Sequence, residues 1–100
     1  MSHKYILKDR VAVPTDDLKE WGRAFGQDRR VARDEIGDFV ISTVFLGLDH
    51  GFGEGPPELF ETMVFGPPRG DEVDMGRCAT WDEAEAMHAE FVRKFGGPIQ

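Results

Sequence analysis

The chain has a single cysteine, Cys78, so no internal disulfide can form and packing with hydrogen bonding must hold the fold. One unpaired thiol also fits a reducing compartment. Basic residues are scarce: 12 Lys and Arg face 19 Asp and Glu, a net charge of −7. A phosphate backbone is gripped by clustered Lys and Arg, so direct nucleic-acid binding is not expected. No apolar run approaches the roughly 20 residues that a membrane helix requires. The opening stretch "MSHKYILKDR" lacks the apolar segment of a secretory leader. Cytosolic placement is therefore the expectation.

One hundred residues, 40% hydrophobic and 31% charged, fit a single folded domain over 1–100. Eight Phe, two Trp and one Tyr can fill its core. The acidic surface suits a protein partner with a basic surface. Spaced carboxylates can also imitate DNA, a minority use of such charge.

Residues 4–13, "KYILKDRVAV", alternate imperfectly and read as a first strand ended by Pro14. "PTDDLKEWGRAFG" reads as a short helix. Thr15 or Asp16 can cap it, Leu18, Trp21 and Phe25 share a face, and Gly26 can stop it. "DRRVARDEIGDFVISTVFLGL" reads as two strands joined by a turn at Ile36-Gly37-Asp38. The second of them, 39–48, carries Phe39, Ile41, Thr43 and Phe45 on one face. Val40, Ser42, Val44, Leu46 and Leu48 lie on the other. Both faces are largely apolar, which predicts a central strand covered on both sides.

Residues 49–58, "DHGFGEGPPE", form a long loop. A strand at 59–66 and a more polar strand at 72–80, nearer an edge, follow. The final helix runs over 80–95. Thr80 and Glu83 make a capping box, and Gly96-Gly97-Pro98 ends the helix. Its core stripe is Trp81, Ala84, His88, Phe91 and Phe95. The expected order is β-α-β-β-β-β-α: an α+β fold with a mainly antiparallel sheet of about five strands and two helices packed on one face. Helices on one face leave the other to loops or a second subunit, so a homodimer through the open sheet face is one solution.

His88 is the outstanding polar residue of that helix stripe, and a buried imidazole must satisfy two ring nitrogens. Asp49, His50 and Glu61 lie on or beside the central strands and are its candidate partners. Glu61 interrupts an apolar strand, where an unpaired carboxylate is costly. Gathered under the 49–58 loop, Asp49, His50, Glu61 and His88 can bind a divalent metal and activate water, the chemistry of a small hydrolase. The alternative is a structural network that holds helix to sheet. The histidines lack HxH or HExxH spacing, which favours the network, and no motif implies a cofactor.

The remaining motifs are weaker. Ser42 and Thr43 have no nucleophile elbow around them and read as strand residues. Cys78 reads as a half-buried, inert thiol. "GFGEGPP" lacks the Lys-Ser/Thr of a phosphate loop, and "RGD" at 69–71 reads as a chance turn sequence. Arg29, Arg30 and Arg33 make a small basic patch, a solvated face or a contact for a small anion such as a nucleotide phosphate.

The stretches "STVFLGLDH" at 42–50, "PELFETMVFG" at 57–66 and "TWDEAEAMH" at 80–88 resemble a family of small proteins encoded by actinobacterial phages and prophages. The resemblance covers about the last two-thirds of the chain, as for one domain. It implies expression in the cytoplasm of an infected or lysogenic bacterium and carries no catalytic role with it. The expectation is a non-enzymatic accessory protein that binds a host or phage protein. The alternatives are the metal-dependent hydrolase and a protein that sequesters a small anionic ligand.

Overall fold

The computed structural model describes residues 3–51 and 55–96. It is an α+β fold with six strands in two antiparallel sheets and two helices that pack against them. The element order agrees with the sequence, but the first predicted strand is in fact a hairpin. β1 (Tyr5–Lys8) and β2 (Val11–Pro14) pair antiparallel, with Lys8 opposite Val11. Asp9 and Arg10 connect them with φ of 56° and 68°. A two-residue hairpin turn of this kind usually carries Asn-Gly or Asp-Gly. Asp-Arg gives no such signal, so 4–13 reads as one strand.

Helix α1 (Leu18–Phe25) is capped by Asp17, one position beyond Asp16 and two beyond Thr15, the expected caps. The Asp17 carboxylate accepts from the Lys19 and Glu20 amides, while the Thr15 hydroxyl donates to Glu20 Oε1 at 2.9 Å. α1 packs against β1 and buries no side chain fully. Its anchor is Trp21, whose Nε1 donates to the Gly47 carbonyl at 2.9 Å. The Phe25 and Trp21 ring centroids are 4.2 Å apart, and the Arg29 guanidinium lies over the Phe25 ring, 4.2 Å from its centroid. Gly47 has φ +79°, and a Cβ there would stand 2.7 Å from the Phe25 ring.

β3 (Arg30–Ile36), β4 (Phe39–Phe45), β5 (Phe60–Gly66) and β6 (Asp71–Cys78) form a four-stranded antiparallel meander in chain order. β3 and β6 are its edges. Gly37, at φ +57°, turns the chain between Ile36 and its partner Phe39. Helix α2 (Trp81–Lys94) opens with the expected capping box: the Thr80 hydroxyl accepts from Glu83 N, and Glu83 Oε1 accepts from Thr80 N.

The register pairs Phe45 with Phe60, Thr43 with Thr62 and Ile41 with Val64. These six side chains share one face and are buried. α2 lies across this face, touches all four strands and buries Ala84 and His88. Gly76, opposite Thr62, lets it descend, because a Cβ there would meet Met87 Sδ at 3.1 Å and Phe91 at 3.2 Å. Each large apolar side chain sealed here contributes about 1.5–3 kcal/mol.

The opposite face is different. Val40, Ser42, Val44, Glu61, Met63 and Phe65 are only half-buried. Among the described elements no helix packs there, since α2 is on the other side and α1 sits against β1. The two-sided apolar pattern of β4 is therefore covered on one side only within the described residues.

Gly47→Ala is expected to lower the unfolding free energy by about 1–3 kcal/mol, since it combines a left-handed φ with a clash against Phe25. Urea denaturation followed by circular dichroism measures this; an unchanged midpoint would show that α1 does not depend on close approach at Gly47.

Candidate functional site

The polar centre of the fold is a chain of side-chain hydrogen bonds beneath α2. His88 Nδ1 lies 2.7 Å from Thr43 Oγ1, and Thr43 Oγ1 lies 2.5 Å from Thr62 Oγ1. On its other edge, His88 Nε2 lies 2.7 Å from Asp34 Oδ2. One proton arrangement uses every donor: Thr62 donates to Thr43, Thr43 to Nδ1, and the Nε2 proton to Asp34. The four residues come from β5, β4, α2 and β3, one from each.

Carboxylate, imidazole and hydroxyl in series is the arrangement that activates a nucleophilic hydroxyl. Access decides against that use. Thr43 and Thr62 are 0% exposed and His88 is 5% exposed. Only the Asp34 end reaches water, with its side chain 53% exposed. No substrate can reach the hydroxyl end, so the chain acts as a clamp between helix and sheet. Burial without these partners would cost each polar group about 1–3 kcal/mol.

The structure does not bring the four expected cluster residues together. Glu61 pairs with Val44 and Arg77 across the sheet and therefore points to the face away from α2. Its Oε2 accepts from Arg77 Nε at 3.0 Å. The period of two separates it from His88 by the thickness of the sheet. Asp49 has a local task instead. Its Oδ1 accepts from Gly51 N at 2.8 Å and from Glu58 N at 3.0 Å, and so closes both ends of the glycine-rich loop. His50 is exposed, and its amide donates to the Glu58 carbonyl at 3.0 Å. Residues 52–54 of the loop lie outside the described residues. Among the described residues, no group of three or more His, Cys, Asp and Glu is placed to hold a metal ion.

The arginine patch also divides. Arg29 Nη1 reaches the Phe45 and Leu46 carbonyls at 3.4 and 3.3 Å. Arg33 is paired with Glu35 at 2.7 Å, and Arg30 stands exposed opposite Val44. The three do not converge on one anion. Cys78 is half-buried; burial first, then the nearby Glu83, pushes its thiol up to about 11, so it stays protonated and unreactive at neutral pH.

Asp34, Thr43 and Thr62 are the partners that sequence reasoning missed. Asp34 lies 54 positions from His88, and both threonines sit in ordinary strand alternation. Only the register of three strands, with the helix laid across them, makes them neighbours. A hollow of about 650 Å³ lies elsewhere, between the β1–β2 turn, Pro56-Pro57 and the start of α2. Arg10 stacks over the Trp81 ring at its wall, at 5.1 Å. Compared with protein-family models, with curated proteins and with solved structures, the chain gives no match.

His88→Ala is expected to cost about 2–5 kcal/mol, through lost packing and stranded Thr43 and Asp34, and Thr43→Val about 1–3 kcal/mol. Chemical denaturation tests both; a cost under about 0.5 kcal/mol for each would remove the clamp as a source of stability. The backbone amides of Gly51 and Glu58 hold the Asp49 carboxyl below its ordinary value, and the Lys94 ammonium does the same for Asp74. A depressed carboxyl stabilises the fold above its unfolded-state value, and that stability is lost as pH falls through the folded value. Asp49→Asn, which keeps an acceptor oxygen, is expected to flatten part of the stability loss below about pH 4, read from melting temperature against pH. An identical acid limb in the variant would mean that Asp49 carries none of it.

Proposed function

We propose that the chain is a non-enzymatic binding protein, an accessory protein of a phage or prophage acting in the cytoplasm of its bacterial host. It meets a protein partner through the open face of its four-stranded sheet. The observation that carries this is the unequal treatment of the two faces. One is sealed by α2 down to its hydroxyl groups. The other presents Val40, Val44, Met63, Phe65 and Met75 half-exposed, with no described helix above them. A contiguous apolar face rimmed by charge is the usual composition of a protein contact surface.

The chemistry of the ionisable residues supports the same reading. His88, Asp34, Asp49, Glu61 and Arg77 are spent on internal hydrogen bonds and ion pairs. The metal-dependent hydrolase is left without a ligand set among the described residues, and the anion-sequestering protein without converging arginines. The phage origin rests on the three motifs at 42–50, 57–66 and 80–88.

Met63→Lys, at the centre of the open face, is expected to leave stability within about 1 kcal/mol, since the side chain already meets water. It should abolish capture of the protein partner on immobilised protein. Capture unchanged in both Met63→Lys and Phe65→Glu would move the binding surface elsewhere.

A further inference from the structure

The pairing register lays out the open face as a grid. One row runs Arg30, Val44, Glu61, Arg77. The middle row is Arg33, Ser42, Met63, Met75, and the last is Glu35, Val40, Phe65, Glu72. The flanks of the first row are both arginine and the flanks of the last are both glutamate. The middle of the face is apolar apart from Ser42 and the internally paired Glu61.

Three arginines and three glutamates make this face neutral, on a chain of net charge −7. The excess negative charge is therefore elsewhere. A strongly basic partner gains little from a neutral face, whereas a second copy of the same face meets no net repulsion.

We propose that the occupant of the open sheet face is a second copy of this chain, related by a twofold axis that runs across the strands. This rests on the reading of that face as a docking surface. The axis places β3 over β3 and β6 over β6 with strand directions reversed, so the first row of one copy lies over the last row of the other. Arg30 then faces Glu35 of the second copy, and Arg77 faces its Glu72, each contact occurring twice, as an isologous interface requires. Met63 and Met75 meet their own counterparts in the centre, where flexible thioethers adapt to each other. Arg33 meets its counterpart at the exposed rim, where its own Glu35 pairs with it. The alternative axis, parallel to the strands, sets Arg30 over Arg77 and Glu35 over Glu72, like charge on like charge. The charge pattern thus selects one of the two face-to-face arrangements.

Four strands about 4.8 Å apart and about seven residues long span roughly 450 Å² of plane. That is below the roughly 800 Å² per partner of a standard stable interface, so the dimer is expected to exchange with monomer at micromolar concentration.

Sedimentation velocity on untagged protein from about 1 to 500 μM, a range that brackets micromolar exchange, tests the proposal. The wild type is expected to shift from monomer to dimer. Arg30→Glu with Arg77→Glu in one chain, and Glu35→Arg with Glu72→Arg in another, are each expected to weaken self-association at least about tenfold. An equimolar mixture of the two is expected to restore it, because each variant row then faces an opposite charge. Circular dichroism melts confirm that both variants stay folded. A wild type that remains monomeric throughout, or a mixture that fails to re-associate while the wild type dimerises, overturns the proposal. A monomer whose capture of a different chain is abolished by Met63→Lys removes the second copy as occupant and leaves the open face as a docking surface. A dimer indifferent to Met63→Lys and to both charge variants removes the open face as well.

Discussion

A buried hydroxyl or imidazole must be hydrogen-bonded or it destabilises the fold, and this requirement governs the centre of the molecule. Thr62, Thr43, His88 and Asp34 meet it only together, because each fills the polar valence of the next. The consequence is geometric. The chain fixes the lateral alignment of β3, β4 and β5 and the rotation of α2 above them. A helix held only by Ala84, Phe91 and Phe95 could slide along an apolar surface with little penalty. A helix that must place His88 between Thr43 and Asp34 cannot. The apolar contacts supply most of the energy here, and the polar chain supplies the position.

That position settles how the two sides of the sheet are used. With α2 drawn down over Gly76, the side carrying Ile41, Thr43, Phe45, Phe60, Thr62 and Val64 is closed to water. The side carrying Val40, Val44, Met63 and Phe65 has no such cover among the described elements. The hairpin β1–β2 and α1 gather at one end of the sheet, where Trp21 donates to Gly47 and the Tyr5 amide donates to the same carbonyl. They extend the core lengthwise toward Phe45 and Leu59 and add no second layer. Among the described residues the fold thus has one helical layer and one open layer, and the open layer is where its neutral, ordered pattern of charge lies.

Much of the local structure was legible in the residues. The capping box at Thr80 and Glu83, the turn at Gly37 and the apolar alternation of β4 and β5 all follow from near-neighbour physics: satisfied amides, a left-handed φ, a period of two. The hairpin at Asp9-Arg10 was not legible, because Asp9 tolerates the left-handed conformation but Arg10 stands where glycine is usual. Asp49 shows a subtler gap. Its position at the end of an apolar strand suggested a site, whereas its carboxylate serves the amides of Gly51 and Glu58 and shapes the loop.

The chain by itself determined its α+β class, the order of its elements, its acidity, and that His88 needed polar partners inside an apolar stripe. The tertiary structure alone decided who those partners are. Glu61 was one of the expected partners, yet strand alternation turned it through the sheet to Arg77, while Asp34, on an edge strand far away in sequence, came under the helix. Strand register and the side of the sheet on which α2 lands are long-range outcomes. A shift of one residue would exchange every inward side chain for its outward neighbour, and no local pattern in the chain encodes which of two apolar faces the helix covers.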